Sequence, residues 1–149
     1  MIIARRLVVH SSEDVGLADP NALVIATSAM TALQNIGAPE GLIPLSQAII
    51  YVCEAHKSNS VVVALEEASN DAEIVRDDDI PSYLINSSYR DEKGKKESAE
   101  YKYPHSYGEW VKQQYLPNKL KDKKYYRPTS HGYESEILKI RKGKGKIDD

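Results

Sequence analysis

Few of the side chains able to exchange a proton, attack a carbonyl or hold an ion sit together in this sequence. Cys53 precedes His56 by three residues, a spacing that can pair a thiol with a base. The run around Cys53 is free of charge, which favours a buried structural thiol instead. Lys57-Ser58 supplies two side chains of a phosphate loop but lacks the preceding glycines whose N–H groups cradle the anion. His10, His56, His105 and His131 are scattered, and no pair has the spacing of a zinc site. Glu13-Asp14 and Asp77–Asp79 offer carboxylates, in positions where acids ordinarily cap helices. No catalytic, cofactor-binding or metal-binding constellation emerges, and the chain reads as a non-enzyme.

A second kind of chemistry lies further along. Tyr101–Tyr133 holds seven tyrosines and Trp110, interleaved with lysines and broken by Pro104, Pro117 and Pro128. Aromatic rings stack on bases and cations neutralise phosphates, so Lys112, Lys123, Lys124, Arg127, Tyr125 and Trp110 are candidate DNA contacts. The same segment also reads as irregular chain that lays its rings on a helical core and keeps its hydroxyls wet. Both readings remain open. The charge distribution serves either: residues 1–89 carry four basic against twelve acidic residues, a balance of −8, and residues 90–149 a balance of +6.

The elements that would position these residues are helical. In Leu42–Ser60, Leu45, Ala48, Ile49 and Val52 fall at i, i+3, i+4 and i+7. Pro44 suits a first turn, and no charge occurs from Leu45 to Cys53, so a helix apolar nearly all round is expected. Pro20–Ile36 is likewise uncharged, starts at Asp19-Pro20 and ends at Gly37. Its alanines allow close helix approach, and the run is either central to the domain or partly covered by another subunit. Leu23, Ala26, Met30, Leu33, Leu45, Ile49 and Val52 are therefore candidate core or oligomer-interface residues. Asp14, Gly16, Asp19, Pro20, Lys57, Ser58 and Asn59 mark the structural corners between helices.

Met1–His10 forms a further helix that starts without a cap, as one begun upstream in a longer parent would. Val61–Ile74 is a helix despite three consecutive valines, because Ala64–Ala68 favours it. Ser82–Tyr89 forms a short helical turn, Asp91–Glu100 is a mobile loop, and Tyr133–Lys142 is a last helix. The expected fold is all-α: a helical bundle over residues 1–89, an irregular Tyr/Lys-rich segment and last helix over 90–142, and a frayed tail at 143–149. A single cysteine, no secretory signal and no membrane-length apolar run fit a reducing, cytoplasmic setting without membrane contact.

Several strings together carry a family likeness: Ala4-Arg5-Arg6-Leu7-Val8, Ser12-Glu13-Asp14-Val15-Gly16-Leu17-Ala18-Asp19-Pro20, Ile43–Ala48, Lys57–Ser60, Tyr101–His105, Gln114–Pro117 and Tyr125–Thr129. In collinear order over nearly the whole chain, they resemble the C-terminal region of the replication-associated recombination protein A family (RarA or MgsA). These are bacterial AAA+ ATPases similar to the Werner-helicase-interacting protein. The chain departs from the family pattern at His56, where proline is usual, and at His105–Trp110, which replaces His-Asp-Tyr-Pro-Gly-Gly. The resemblance implies an all-α module like the clamp-loader collar, which assembles subunits into a homo-oligomer, a tetramer in family members. It implies a role in replication-fork maintenance, recombination and DNA repair near the nucleoid, with association to DNA and single-strand-binding protein. It further implies that ATP and magnesium belong to a module upstream of this chain, with no cofactor in the chain itself.

Overall fold

Alanine decides how closely the helices of this chain approach one another. The computed structural model describes residues 1–75, 79–84, 101–108 and 111–143. Helix α1 spans Ile2–His10, α2 Asn21–Ile36, α3 Leu42–Glu54, α4 Ser60–Ala72 and α5 Gly132–Gly143. No strand occurs among the described residues, so the fold is all-α as expected. Two compact units emerge: Met1–Glu67 with Tyr125–Asp149, and Ala68–Lys124. In the first, Ala4, Ala22, Ala26 and Ala48 are fully buried beside Val15, and Leu7, Ala29, Leu45 and Val52 complete the core. Small side chains at these contacts let α1, α2 and α3 pack backbone close to backbone, filling space at crystal-like density.

The helix ends follow from local chemistry. Pro20 sits at φ −59°, ready for a helix, and Asp19 accepts from the Asn21 N–H at 3.1 Å. Its other carboxylate oxygen accepts from the Tyr51 hydroxyl at 2.8 Å, tying the start of α2 to α3. Gly37 closes α2 at φ +79°, donating to the Leu33 carbonyl at 3.0 Å. At the end of α3, the Lys57 ammonium reaches the carbonyls of Val52 at 2.6 Å, Cys53 at 3.1 Å and Ala55 at 2.6 Å. A cation over the orphan carbonyls of a helix C-terminus satisfies them and opposes the helix dipole. Between α1 and α2 the connector winds a π-helical turn, Ser11–Val15, and a 3-10 turn, Gly16–Ala18.

Two expectations need correcting. Helix α3 is not apolar-buried all round: Ile43 is 71% and Ile50 64% exposed. Cys53 is exposed rather than buried. Both have one cause, because α3 turns Leu45, Ala48 and Val52 inward, which leaves Ile43, Ile50 and Cys53 on the other side. Absence of charge marked the helix as buried, whereas only one stripe of it is. The valine run at 61–63 lies in α4, with the Val63 N–H bonded to the Asn59 carbonyl at 3.1 Å. In the Tyr/Lys-rich segment the described residues are irregular, apart from 3-10 turns at Pro104–Tyr107 and Asn118–Leu120. A 3-10 turn at Ser82–Leu84 meets the turn expected there. The loop expected at Asp91–Glu100 and the tail after Gly143 lie outside the described residues. No helix among the described residues is long and apolar enough to cross a membrane.

Within the first unit, the start of α5 meets the α1–α2 connector at a glycine. Gly132 has φ +48°, and a Cβ built there would lie 2.1 Å from the Ala18 carbonyl oxygen and 3.1 Å from the His56 Cβ. Both the backbone conformation and the space exclude a side chain. Gly132→Ala should therefore lower the unfolding free energy by more than about 2 kcal/mol, read from the urea midpoint. Gly143→Ala, where nothing lies within 4 Å, should leave the midpoint within about 0.5 kcal/mol of the parent.

Candidate functional site

The densest polar constellation among the described residues is buried and centres on Glu134, in the first turn of α5. Its side chain is 0% exposed. Five hydrogen bonds converge on the carboxylate. Ser58 donates at 2.8 Å and Tyr126 at 3.0 Å; Thr129 donates through its N–H at 2.8 Å and its hydroxyl at 2.6 Å; Ser60 donates its hydroxyl to the same group. Burial by itself pushes a carboxyl upward, but the donors from Ser60, Thr129 and Ser58 outweigh it and hold Glu134 down at about 2. The neighbouring Tyr126 phenol goes the other way, to about 12, through burial and then its bond to Glu134. Arg141, 4.9 Å above the Tyr126 ring, partly opposes that rise. Every donor to this carboxylate comes from the first unit, so the cluster ties segments of that unit to one another.

The predicted corners meet around this carboxylate. Ser58 donates its N–H to the Asp14 carbonyl at 2.8 Å and its hydroxyl to Glu134, and accepts from the Ser60 N–H at 3.3 Å. Gly16, at φ +53°, brings its Cα under the Ser58 carbonyl, where a Cβ would stand 2.9 Å from the oxygen. His131 Nδ1 lies 3.0 Å from the Lys57 carbonyl. One carboxylate thus joins the α1–α2 connector, the α3–α4 corner and the start of α5. Sequence reasoning singled out Asp14, Gly16, Lys57, Ser58 and Asn59 but missed Glu134. The available signal was an acid in a first turn after Thr129-Ser130, which reads as ordinary capping. Partners more than seventy residues away leave no local trace.

The candidate core and interface residues separate by burial. Ala26, Leu45 and Val52 are buried, Met30, Leu33 and Ile49 pack half-buried against them, and Leu23 is 42% exposed. The outward side of the same helices is apolar or neutral as far as Glu54, which is exposed at the end of α3. Val24 is 62% exposed on α2 beside Thr27, Ser28 and Thr31, and Ile43 and Ile50 project from α3. Between the two helices runs a groove of about 280 Å³ lined by Ile25, Ser28, Ala29, Ala32, Pro44 and Gln47, without a charge. Solvent-facing helices ordinarily carry charge along their outer faces; here the first charge on either helix is Glu54, at the end of α3.

The candidate DNA contacts do not form one site. In the first unit Arg127 grips Glu67 with two parallel bonds at 2.8 and 2.9 Å, and Tyr125 is half-buried. In the second, Lys123 pairs with Asp71 at 3.0 Å, and Lys112 and Lys124 are exposed. Trp110 lies outside the described residues. Ion pairing weakens the claim of Arg127 and Lys123 on a phosphate, because the local acid competes for the cation.

One group of possible metal ligands assembles among the described residues: His10, Glu13 and Asp14, all exposed on one turn. His10 Nδ1 already lies 2.5 Å from the Asp14 carboxylate. For a nucleotide the residues do not fit: the Lys57 ammonium is taken by three carbonyls and the Ser58 hydroxyl by Glu134.

The Glu134 cluster makes acid stability predictable in sign. A carboxyl held at about 2 when folded, against 4.5 otherwise, stabilises the fold fully above pH 4.5, and loses that contribution as pH falls toward 2. The contribution is on the order of 3 kcal/mol. Glu134→Gln should lower urea stability at pH 7 by about that amount and flatten the decline between pH 5 and 2, measured by denaturation across pH.

The model of the MgsA AAA+ ATPase C-terminal family matches residues 1–143. Replication-associated recombination protein A of Bacillus subtilis is 41% identical over 93% of this chain. The proteins of that name from Haemophilus influenzae and Escherichia coli K12 are 39% and 35% identical, each over 92% of it. The chain spans about a third of the length of these relatives, 33%, 31% and 31% respectively. With the family model covering nearly every residue and relatives at this identity, the chain belongs to the MgsA AAA+ ATPase C-terminal family.

Proposed function

We propose that this chain is the assembly module of an AAA+ ATPase that works in replication-associated recombination and DNA repair. Its role is to hold copies of an upstream ATPase module in a ring, a homotetramer, so that each active site can receive an arginine from its neighbour. ATP and magnesium belong to that upstream module, and the chain itself carries out no hydrolysis. DNA and single-strand-binding protein are partners of the whole assembly, which works in the cytoplasm at the nucleoid.

The observation that carries this reading is the apolar outer face of α2 and α3, which bears no charge before Glu54 at the end of α3, with Val24, Ile43 and Ile50 in water at 62%, 71% and 64% exposure. Isolated exposed apolar residues need no partner, but on the same two helices an uncharged groove lined by Ile25, Ala29, Ala32 and Pro44 adds apolar surface that a partner would cover. The assembly reading is favoured over direct DNA binding through Lys123 and Arg127, since both cations are engaged by acids.

Sedimentation velocity of the 149-residue chain at high micromolar concentration should show a species larger than a monomer. Ile43→Glu with Ile50→Glu should yield a monomer with an unchanged helical circular-dichroism spectrum, because both side chains lie outside the core. A parent chain that stays monomeric would remove the proposal.

A further inference from the structure

In the second unit an open pocket of about 390 Å³ gathers Asp79, the Ser82–Tyr83 turn, Gln114 and Asn118. That volume suits a small molecule or one long side chain. Its hydrogen-bonding groups have spent their hydrogens unequally. The Gln114 amide nitrogen donates to the Leu116 carbonyl at 2.8 Å and to the Asn118 Oδ1 at 2.9 Å. A backbone carbonyl only accepts, so the nitrogen must face it; both amide hydrogens are committed, and the Gln114 Oε1 is left to accept. The Tyr83 hydroxyl donates to the Gln114 backbone carbonyl. With its one hydrogen placed, the phenol oxygen can only accept from a ligand. Asp79 adds a half-buried carboxylate. Asn118 brings an amide donor, and Ser82 a hydroxyl that serves either way. Acceptors therefore predominate, and the one charge in the lining is negative.

The geometry points to a site for an alkyl guanidinium, either an arginine side chain or its free counterpart. Guanidinium presents five N–H donors in one plane and accepts nothing, the complement of a pocket rich in acceptors. Its flat face and alkyl stem suit the other part of the lining, the Tyr83 ring with Ile80 and Pro81, of which Ile80 is 40% exposed. A carboxylate or phosphate ligand would face the Asp79 charge and find the Gln114 and Tyr83 hydrogens already given away. Lys119 meets the Asp79 carboxylate at 3.3 Å and is itself 66% exposed. An exposed pair of that length is weak, so an incoming cation can displace the lysine. The inference stands apart from the assembly reading, since these residues lie outside α2 and α3.

The test is a titration of the 149-residue chain with agmatine, and separately with a capped alanine-arginine-alanine peptide, followed through backbone amide NMR shifts. Saturable shifts at Tyr83, Gln114 and Asn118 are expected with both. Asp79→Asn should weaken binding by about 10- to 100-fold, with circular dichroism unchanged. Lys119→Ala should tighten it by about 2- to 5-fold, because the competing cation is gone. Tighter binding of the peptide identifies an arginine of a partner protein as the occupant, and tighter binding of agmatine a free guanidine; either supports the site. No saturable shift with either ligand, unchanged affinity in Asp79→Asn, weaker binding in Lys119→Ala, or equal binding of glutarate would each overturn it.

Discussion

A single buried carboxylate holds together segments that lie far apart in the chain. Glu134 takes hydrogens from Ser58, Ser60, Tyr126 and Thr129 in a site closed to water. A buried charge without such donors would cost several kcal/mol, so the donors and the carboxylate require one another. That mutual requirement fixes the α3–α4 corner to the start of α5, and through the bond between the Ser58 N–H and the Asp14 carbonyl it fixes the connector after α1. Gly16 and Gly132 let the backbones come close enough for this, each at a position where a Cβ would strike a carbonyl oxygen.

With the corners fixed from within, α2 and α3 are positioned by their alanine contacts and need no charge outside to orient them. Their inward sides carry Ala22, Ala26, Ala29, Leu45, Ala48 and Val52. Their outward sides carry Val24, Thr27, Ile43 and Ile50. The same two helices are core on one side and, before Glu54 at the end of α3, uncharged surface on the other. Lys57, spent on three carbonyls at the end of α3, contributes to that frame rather than to any phosphate site. Function, in the assembly reading, depends on geometry transmitted by rigid helices and not on a reactive group.

Much of the fold was legible because helix signals are local. Asp19-Pro20 and Gly37 bracket α2, and Pro44 with the Leu45–Val52 spacing places α3, within a residue or so of where the helices run. The corner residues were legible for the same reason, since caps and turns are written in adjacent positions. What escaped was everything that depends on distance along the chain. Glu134 looks like a routine first-turn acid until Ser58 and Ser60 arrive from more than seventy residues away. The burial of α3 was overread because absence of charge has two physical causes, a core and a partner surface, and periodicity cannot separate them when both stripes are apolar. Lys123 and Arg127 looked available to phosphates because Asp71 and Glu67, their ion-pair partners, lie more than fifty residues earlier.

The chain carries its own probe of the central claim. Cys53 is its single cysteine, exposed on the side of α3 that bears Ile43 and Ile50. The most direct measurement is the rate at which a maleimide modifies that thiol as protein concentration is raised from dilute to high micromolar. If α2 and α3 form the assembly face, the rate constant falls as copies associate, and recovers when Ile43→Glu and Ile50→Glu are introduced. A rate constant that stays the same across the whole concentration range, while the protein sediments as an oligomer, would place the contact elsewhere and contradict the account.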